Sequence, residues 1–310
     1  MKDKNIIVLM GGPSAEAEVS RRTGTAICEA LISMGYKAET LELNGETLIQ
    51  DLRERNCDVV FNAIHGRFGE DGALQGLLEM AKIPYTGSGI MAHAVGMNKK
   101  VSKDVFKGAG IPTAISKSYD VSIQTVEDIA TDIKTSFSFP VVVKAATQGS
   151  SLGVIIVKSE NELSAAISDV TKYGNVMIAE TYLDGHEFTV SVLNGKALPV
   201  IEIRPHSGEY DYKTKYTAGA SDYLVPAPIS DTLTSNMQRI GETVYNELQC
   251  SGTIRVDIMT DSKDNVYVLE VNTIPGMTAT SLVPKAANAI GISFPELCEN
   301  ILLSAGLNKF

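Results

Sequence analysis

Four side chains in the last third of the chain could act together on a phosphate. Thr253–Met259 and Val266–Asn272 alternate apolar and polar residues about Thr260-Asp261-Ser262-Lys263-Asp264-Asn265, the pattern of a hairpin with a turn-rich tip. Pairing the two runs symmetrically about that turn sets Asp257 opposite Glu270 and Arg255 opposite Asn272. Alternate residues of a strand share a face, so all four point one way. Ile254, Val256, Ile258, Leu269 and Val271 fall on the other, core face. Two adjacent carboxylates repel unless a cation lies between them. With an amide oxygen they form a hard-oxygen set suited to Mg²⁺ carrying phosphates. A salt-bridged solvent face would use the same residues. The run Asn272-Thr273-Ile274-Pro275-Gly276-Met277 favours the metal, because it brings backbone N–H groups beside it.

Three further segments carry candidate chemistry. Lys144 closes the apolar run Pro140–Val143 and precedes Gln148-Gly149-Ser150-Ser151-Leu152-Gly153. Small residues let backbone N–H groups approach phosphate oxygens, and a strand-end lysine adds charge, although a Gly/Ser turn is more often a plain hairpin. Gly11 to Ser20 joins a strand end to a helix start, a junction that favours anions. Glu16 and Glu18 would repel a pyrophosphate, and G-x-G-x-x-G spacing is missing, so a carboxylate here suits a substrate ammonium. Acids favoured by the helix dipole are the plainer reading. His65 opens the loop His65–Gly72 at another strand end, where open α/β sheets place ligands.

The rest of the chain must position these groups. Its 310 residues, 44% hydrophobic and 21% charged, are enough for two or three domains with a buried core. A net charge of −10 argues against a broad nucleic-acid surface or a polybasic membrane anchor. The four cysteines are far apart and form no C-x-x-C, which argues against a zinc or redox pair and fits a reducing compartment. The run Ile6–Met10 is too short for a signal peptide or membrane span, so a cytoplasmic location is expected.

Strands Ile6–Met10, Ala38–Leu43 and Val59–Ile64 alternate with helices, which predicts a parallel, Rossmann-like sheet. Strands Pro140–Lys144, Val154–Val157 and Val176–Glu180, with helix Glu160–Thr171, predict a small α+β lobe. Glu187–Leu193, Leu198–Ile203 and the hairpin predict an antiparallel lobe. The expected fold is therefore mixed α/β and α+β, with domains at 1–98, 99–183 and 184–310. The long polar stretch from Pro205 to Asp222 reads as a functional loop over a site.

These segments, in this order, resemble the D-alanine–D-alanine ligases of the ATP-grasp superfamily from end to end. The likeness is carried by Gly11-Gly12-Pro13-Ser14-Ala15-Glu16 through Val19-Ser20, His65 to Gly76, and Val143-Lys144 with Gly149-Ser150-Ser151. It continues in Glu187-Phe188-Thr189-Val190, Lys215-Tyr216, Arg255-Val256-Asp257, Glu270-Val271-Asn272, and Pro275-Gly276-Met277 with Ser281-Leu282. Three residues depart from the family pattern: Asn98 stands in place of Asp before Lys99, Ala145 in place of Pro after Lys144, and Gln148 where a charged residue is common.

The resemblance implies ATP-dependent ligation of two D-alanines for peptidoglycan precursors, through an acyl phosphate. It implies ATP between the middle and C-terminal lobes, with Lys99, Lys144 and Lys215 as ATP-binding lysines. Glu180 to Leu183 and Glu187 would hold adenine and ribose. Asp257, Glu270 and Asn272 would bind two Mg²⁺ ions, or Mn²⁺ in their place. Glu16 would hold the first D-alanine's ammonium with His65 nearby, and Arg255 with the Gly276 N–H would face the oxyanion. Ser281 and Leu282 would seat the second D-alanine, while Ser150 and Tyr216 would link the Glu16 side to the lid loop. In the family, a Tyr after the loop lysine goes with dipeptide rather than ester formation. A homodimer is implied in the same way, with no nucleic acid or membrane partner. The alternatives are a D-alanine–D-serine or other D-Ala-D-X ligase, or a non-catalytic ATP-binding protein on the same scaffold. A nicotinamide dehydrogenase is disfavoured by the missing dinucleotide fingerprint.

Overall fold

The computed structural model describes residues 1–149, 151–206, 217 and 219–309. The first strand, β1 (Asn5–Met10), buries Ile6, Ile7, Val8 and Leu9 alike, as a strand covered on both faces must. It is the middle of a parallel sheet, between β2 (Lys37–Glu42) and β3 (Val59–Asn62). Helices α1 (Ala17–Ser33), α2 (Leu48–Glu54) and α3 (Ala73–Ala81) provide the crossovers and the exit from the sheet. Helices α4 (Ile90–Met97) and α5 (Lys99–Gly108) follow. Between them Asn98 caps α5, its side chain accepting from the N–H groups of Lys100 (3.1 Å) and Val101 (3.3 Å). Asn is as good a cap as Asp, so this departure from the family pattern leaves Lys99 fixed at the start of its helix.

The second sheet is antiparallel in the order β4-β7-β5-β6, formed by β4 (Ser116–Asp120), β5 (Val141–Ala145), β6 (Val154–Val157) and β7 (Val176–Thr181). Helices α6 (Val126–Ser136) and α7 (Leu163–Val170) bury Ile129, Ile133, Leu163 and Ile167 against Val141, Val143, Val157 and Ala179. The other face of the sheet, with Val142, Lys144, Ile156 and Glu180, is turned to a cleft. The Ala145 N–H donates to Gly153 O at 2.9 Å, a bond that proline could not make.

The third sheet runs β11-β10-β8-β12-β13, with β9 paired to β8. Its strands are β8 (Glu187–Leu193), β9 (Lys196–Ala197), β10 (Ile201–Pro205), β11 (Ser221–Leu224), β12 (Thr253–Thr260) and β13 (Val266–Asn272). The helix α8 (Asp231–Glu247) packs Met237, Ile240 and Val244 on its inner face, together with Phe106 of α5. The last helices, α9 (Leu282–Asn288) and α10 (Phe294–Leu303), return to the first sheet. Val283, Leu297 and Ile301 share one core with Ile6, Val8 and Phe61.

The fold class is the one read from the sequence, with local differences. Of the expected strand Leu198–Ile203 only Ile201–Ile203 joins the ladder, as part of β10, because Pro199 has no N–H to donate to it. The expected helix from Glu160 begins as a single 3₁₀ turn, Glu160–Glu162. The hairpin register is as read at Arg255↔Asn272 and Asp257↔Glu270, but it slips next to Asp257, so that Ile258 faces Val268. Leu269 is the extra residue of a bulge. It therefore leaves the core face to which symmetric pairing assigned it and lines the cleft beside Glu270, while Val268 is fully buried instead. No described helix is long and apolar enough to cross a membrane.

Candidate active site

A cleft of about 460 Å³ separates the second and third sheets. Strand alternation builds its walls: Val142 and Lys144 from β5, Val154 and Ile156 from β6, and Asp257 and Met259 from β12. Leu269 and Glu270 of the bulge lie together on the same side. The connection after β7 adds Tyr182 and Leu183, and β8 begins with Glu187 on the rim. The structure thus gathers Lys99, Lys144, Glu180, Leu183, Glu187, Asp257 and Glu270 around one space with apolar walls and charged ends. Such a space accommodates a flat heterocycle carrying phosphates.

Lys99 reaches this space from the first turn of α5. Its ammonium lies 3.0 Å from Glu270 Oε2 and donates to Gln148 O at 2.6 Å. Lys144 Nζ lies 2.5 Å from Glu180 Oε1, and Lys103 Nζ lies 2.9 Å from Glu180 Oε2. Burial pushes Glu180 up, but the two lysines outweigh it and hold the carboxyl below its usual range.

Three residues hold the Asp257 carboxylate at the cleft wall. Arg255 grips it with Nε and Nη2 at 2.8 Å each, Thr189 Oγ1 donates at 2.8 Å and Asn272 Nδ2 at 3.0 Å. The Asn272 amide oxygen is consequently turned away from Asp257. Such bidentate bonding fixes the guanidinium plane, so Arg255 and Asp257 are positioned as a unit.

A second cluster lies where the first sheet meets the loop after β13. His65 is buried, with Nδ1 3.0 Å from Ile274 O and Nε2 3.4 Å from Thr23 Oγ1. A carbonyl only accepts, so Nδ1 carries the proton; burial holds the ring neutral by lowering its pKa. Glu70 was singled out for no role by sequence, yet it ties the two regions together. Its carboxyl accepts from the N–H of Gly66 (2.6 Å) and the N–H of Ile274 (3.1 Å). Burial, with the charge of Glu16 added, raises Glu70 to about 8, and Arg255 opposes this. Glu16 and Arg255 therefore act on the Glu70 carboxyl with opposite sign. Gly66 has φ +70°, and a Cβ there would stand 3.0 Å from Ser14 Cβ and 3.3 Å from Glu16 Oε2, so only glycine lets the two loops meet.

The remaining expected residues fall as follows. Gly276 lies beside Ser281, whose Oγ would be 3.0 Å from a Cβ at Gly276. Ser281 Oγ is itself engaged with Thr278, accepting from its N–H at 3.1 Å. The Leu282 side chain belongs to the core shared with the first sheet, so any contact with a ligand falls to its backbone. Ser150, Lys215 and Tyr216 lie outside the described residues, as does most of the Pro205–Asp222 stretch. Lys103 was missed by sequence. A signal for it exists, since Lys99, Lys103 and Phe106 recur at helical spacing and all are buried on one face of α5.

Comparison with known proteins bears on this geometry along the whole chain. Residues 105–303 match the family model described as D-ala D-ala ligase C-terminus, and residues 36–88 match D-ala D-ala ligase N-terminus. The D-alanine–D-alanine ligase of Syntrophotalea carbinolica is 45% identical over 100% of this chain and 98% of its own. That of Moorella thermoacetica is 43% identical over 96% of this chain and 97% of its own. The solved D-alanine–D-alanine ligase of Bacillus anthracis complexed with ATP superposes with a TM-score of 0.83 at 32% identity, covering 97% of both chains. The Coxiella burnetii enzyme superposes with a TM-score of 0.83 at 27% identity, over 98% of this chain and 94% of its own. With full-length identity of this order laid over a charged cleft between two sheets, the chain belongs to the D-alanine–D-alanine ligase family.

Proposed function

We propose that each half of the site serves one half of an ATP-dependent ligation of two D-alanines. The observation that carries this reading is a juxtaposition: Lys99, Lys144 and Asp257 line one cleft, Asp257 is paired with Arg255, and the charges of Arg255 and Glu16 act on His65 and Glu70. Nucleotide enters between the second and third sheets. Leu183 and Glu187 hold the adenosine end, and Lys99 and Lys144 hold phosphate oxygens. Glu16 takes the ammonium of the first D-alanine. The carboxylate of that D-alanine attacks the γ-phosphorus, ADP leaves and an acyl phosphate remains. The amine of the second D-alanine attacks the acyl carbon; Arg255 and the Gly276 N–H stabilise the oxyanion before phosphate departs.

The donor set fits Mg²⁺. Asp257 and Glu270 oppose one another across the hairpin and Asn272 turns its amide oxygen outward, while no described cluster of three His, Cys, Asp or Glu forms a closed cage. One or two carboxylates completed by substrate phosphates is the usual magnesium arrangement. When bound, the ion supplies charge neutralisation on the transferring phosphoryl group. A homodimer is proposed on family likeness, and light scattering in solution tests it. For the reaction itself, the protein is incubated with ATP, Mg²⁺ and D-alanine. Phosphate and D-alanyl-D-alanine should appear in equal amounts, and phosphate without dipeptide would refute the two-substrate assignment.

A further inference from the structure

The cluster around Glu180 holds one more cation than the reaction asks of it. Lys144 lines the cleft, but Lys103 does not. Lys103 is 1% exposed and points into the seam between α5, β7 and β13. Its ammonium donates to Thr113 Oγ1 at 2.6 Å, and that hydroxyl donates to Val268 O at 2.8 Å. Toward Glu180 Oε2 it makes an ion pair at 2.9 Å without an aligned hydrogen bond. Lys103 therefore cannot touch a nucleotide, yet it faces the carboxylate that also binds Lys144. Burial draws Lys103 down to about 8, with Lys144 adding to the fall and Glu180 opposing it.

In the structure the Lys144 ammonium is paired with Glu180 on the wall of the cleft. To reach a phosphate it must turn away, and a carboxylate that is 3% exposed would then be stranded. Losing one partner of a buried ion pair is strongly unfavourable. We infer that Lys103 is the standing counter-ion of Glu180, a positioning residue that neutralises the carboxylate whenever Lys144 leaves it for the phosphates of ATP. The inference rests on the nucleotide reading of the cleft and adds a division of labour to it. Lys144 is the exchangeable partner of Glu180, and Lys103, braced by Thr113, is the permanent one.

The test compares a non-hydrolysable ATP analogue with adenosine, each titrated calorimetrically into the full chain with Mg²⁺. Lys103→Met should raise the Kd of the ATP analogue about a hundredfold, the scale of a broken buried pair. Adenosine has no phosphate for Lys144 to meet, so its Kd should stay within about threefold. In a Glu180→Gln background no carboxylate can be stranded, and Lys103→Met should then change the ATP-analogue Kd by less than about threefold. An equal loss in both backgrounds, or an equal loss for both ligands, overturns the inference, as does no loss at all. Should Lys103→Met not fold, Lys103→Arg carries the test. It keeps the charge, so the ATP-analogue Kd must stay within about threefold, and a larger rise overturns the inference. An unaltered chain that binds neither ligand refutes the nucleotide reading itself, an outcome distinct from all of these.

Discussion

Replacing Glu70 by Gln should change how stability depends on pH. The Glu70 carboxyl moves from an ordinary value of 4.5 to about 8 in the folded chain, through burial first and the charge of Glu16 second. A folded state that holds a proton more tightly than the unfolded chain is favoured at low pH. That advantage is complete below about 4.5 and is lost progressively as pH rises toward 8. At about 1.4 kcal/mol per tenfold change in proton affinity, the ceiling is on the order of 5 kcal/mol. The residue remains partly open to solvent, which brings the expected loss to about 2 kcal/mol. Gln does not titrate, and its single amide oxygen can accept from only one of the two N–H groups, which Glu70 meets with separate oxygens; that cost does not vary with pH. The wild-type advantage over Glu70→Gln, followed by calorimetry from about pH 5 to about pH 9, should therefore shrink by several degrees in melting temperature. Two melting curves that stay parallel across this range would show that Glu70 does not hold its proton in the fold.

Glu270→Gln should melt within a few degrees of the parent but lose turnover by about three orders of magnitude, and near-normal turnover at limiting Mg²⁺ would remove Glu270 from the metal set. Proteolysis within the Pro205–Asp222 stretch should slow when nucleotide and a phosphorylated substrate mimic are added together, whereas equal cleavage with and without them counts against a lid. When D-alanine, D-lactate and D-serine compete at equal concentration, mass spectrometry should find D-alanyl-D-alanine as the main product. A hydrophobic pocket rejects an added hydroxyl by about a hundredfold at best, so the D-serine dipeptide is the more exacting comparison, and its predominance refutes the assignment.

What the sequence disclosed followed distance along the chain. Periodicity located the three sheets but not the edge strands β4 and β11, and the hairpin disclosed the Asp257–Glu270 pairing because its two strands are adjacent and the turn between them is short. The same symmetric argument failed one step later, at Leu269. A bulge adds a single residue that no alternation pattern marks, and the slip moved an apolar side chain from the core to the cleft. Glu70 and Lys103 were harder still. Glu70 acts on Ile274, 204 residues further along, and Lys103 is defined by the Glu180 carboxylate on β7. Their roles come from what the fold brings to them. Asn98 shows the reverse case, where a departure from a family motif matters little because a local cap needs only a side-chain oxygen.

The way the cores are shared has a thermodynamic consequence. Helices α9 and α10 bury their apolar faces with the first sheet, and α5 buries Phe106 with the third, so the two ends of the chain close over common interiors. The second sheet and its two helices close over a core of their own, like a domain inserted into a host. Heating should then disclose two cooperative units rather than one, the inserted lobe melting as a separate calorimetric event from its host. Glu70 joins two parts of the host, so its proton should shift the host's transition and leave the other in place. A single transition whose calorimetric and van't Hoff enthalpies agree would mean that the cleft couples the two units more tightly than their separate cores suggest.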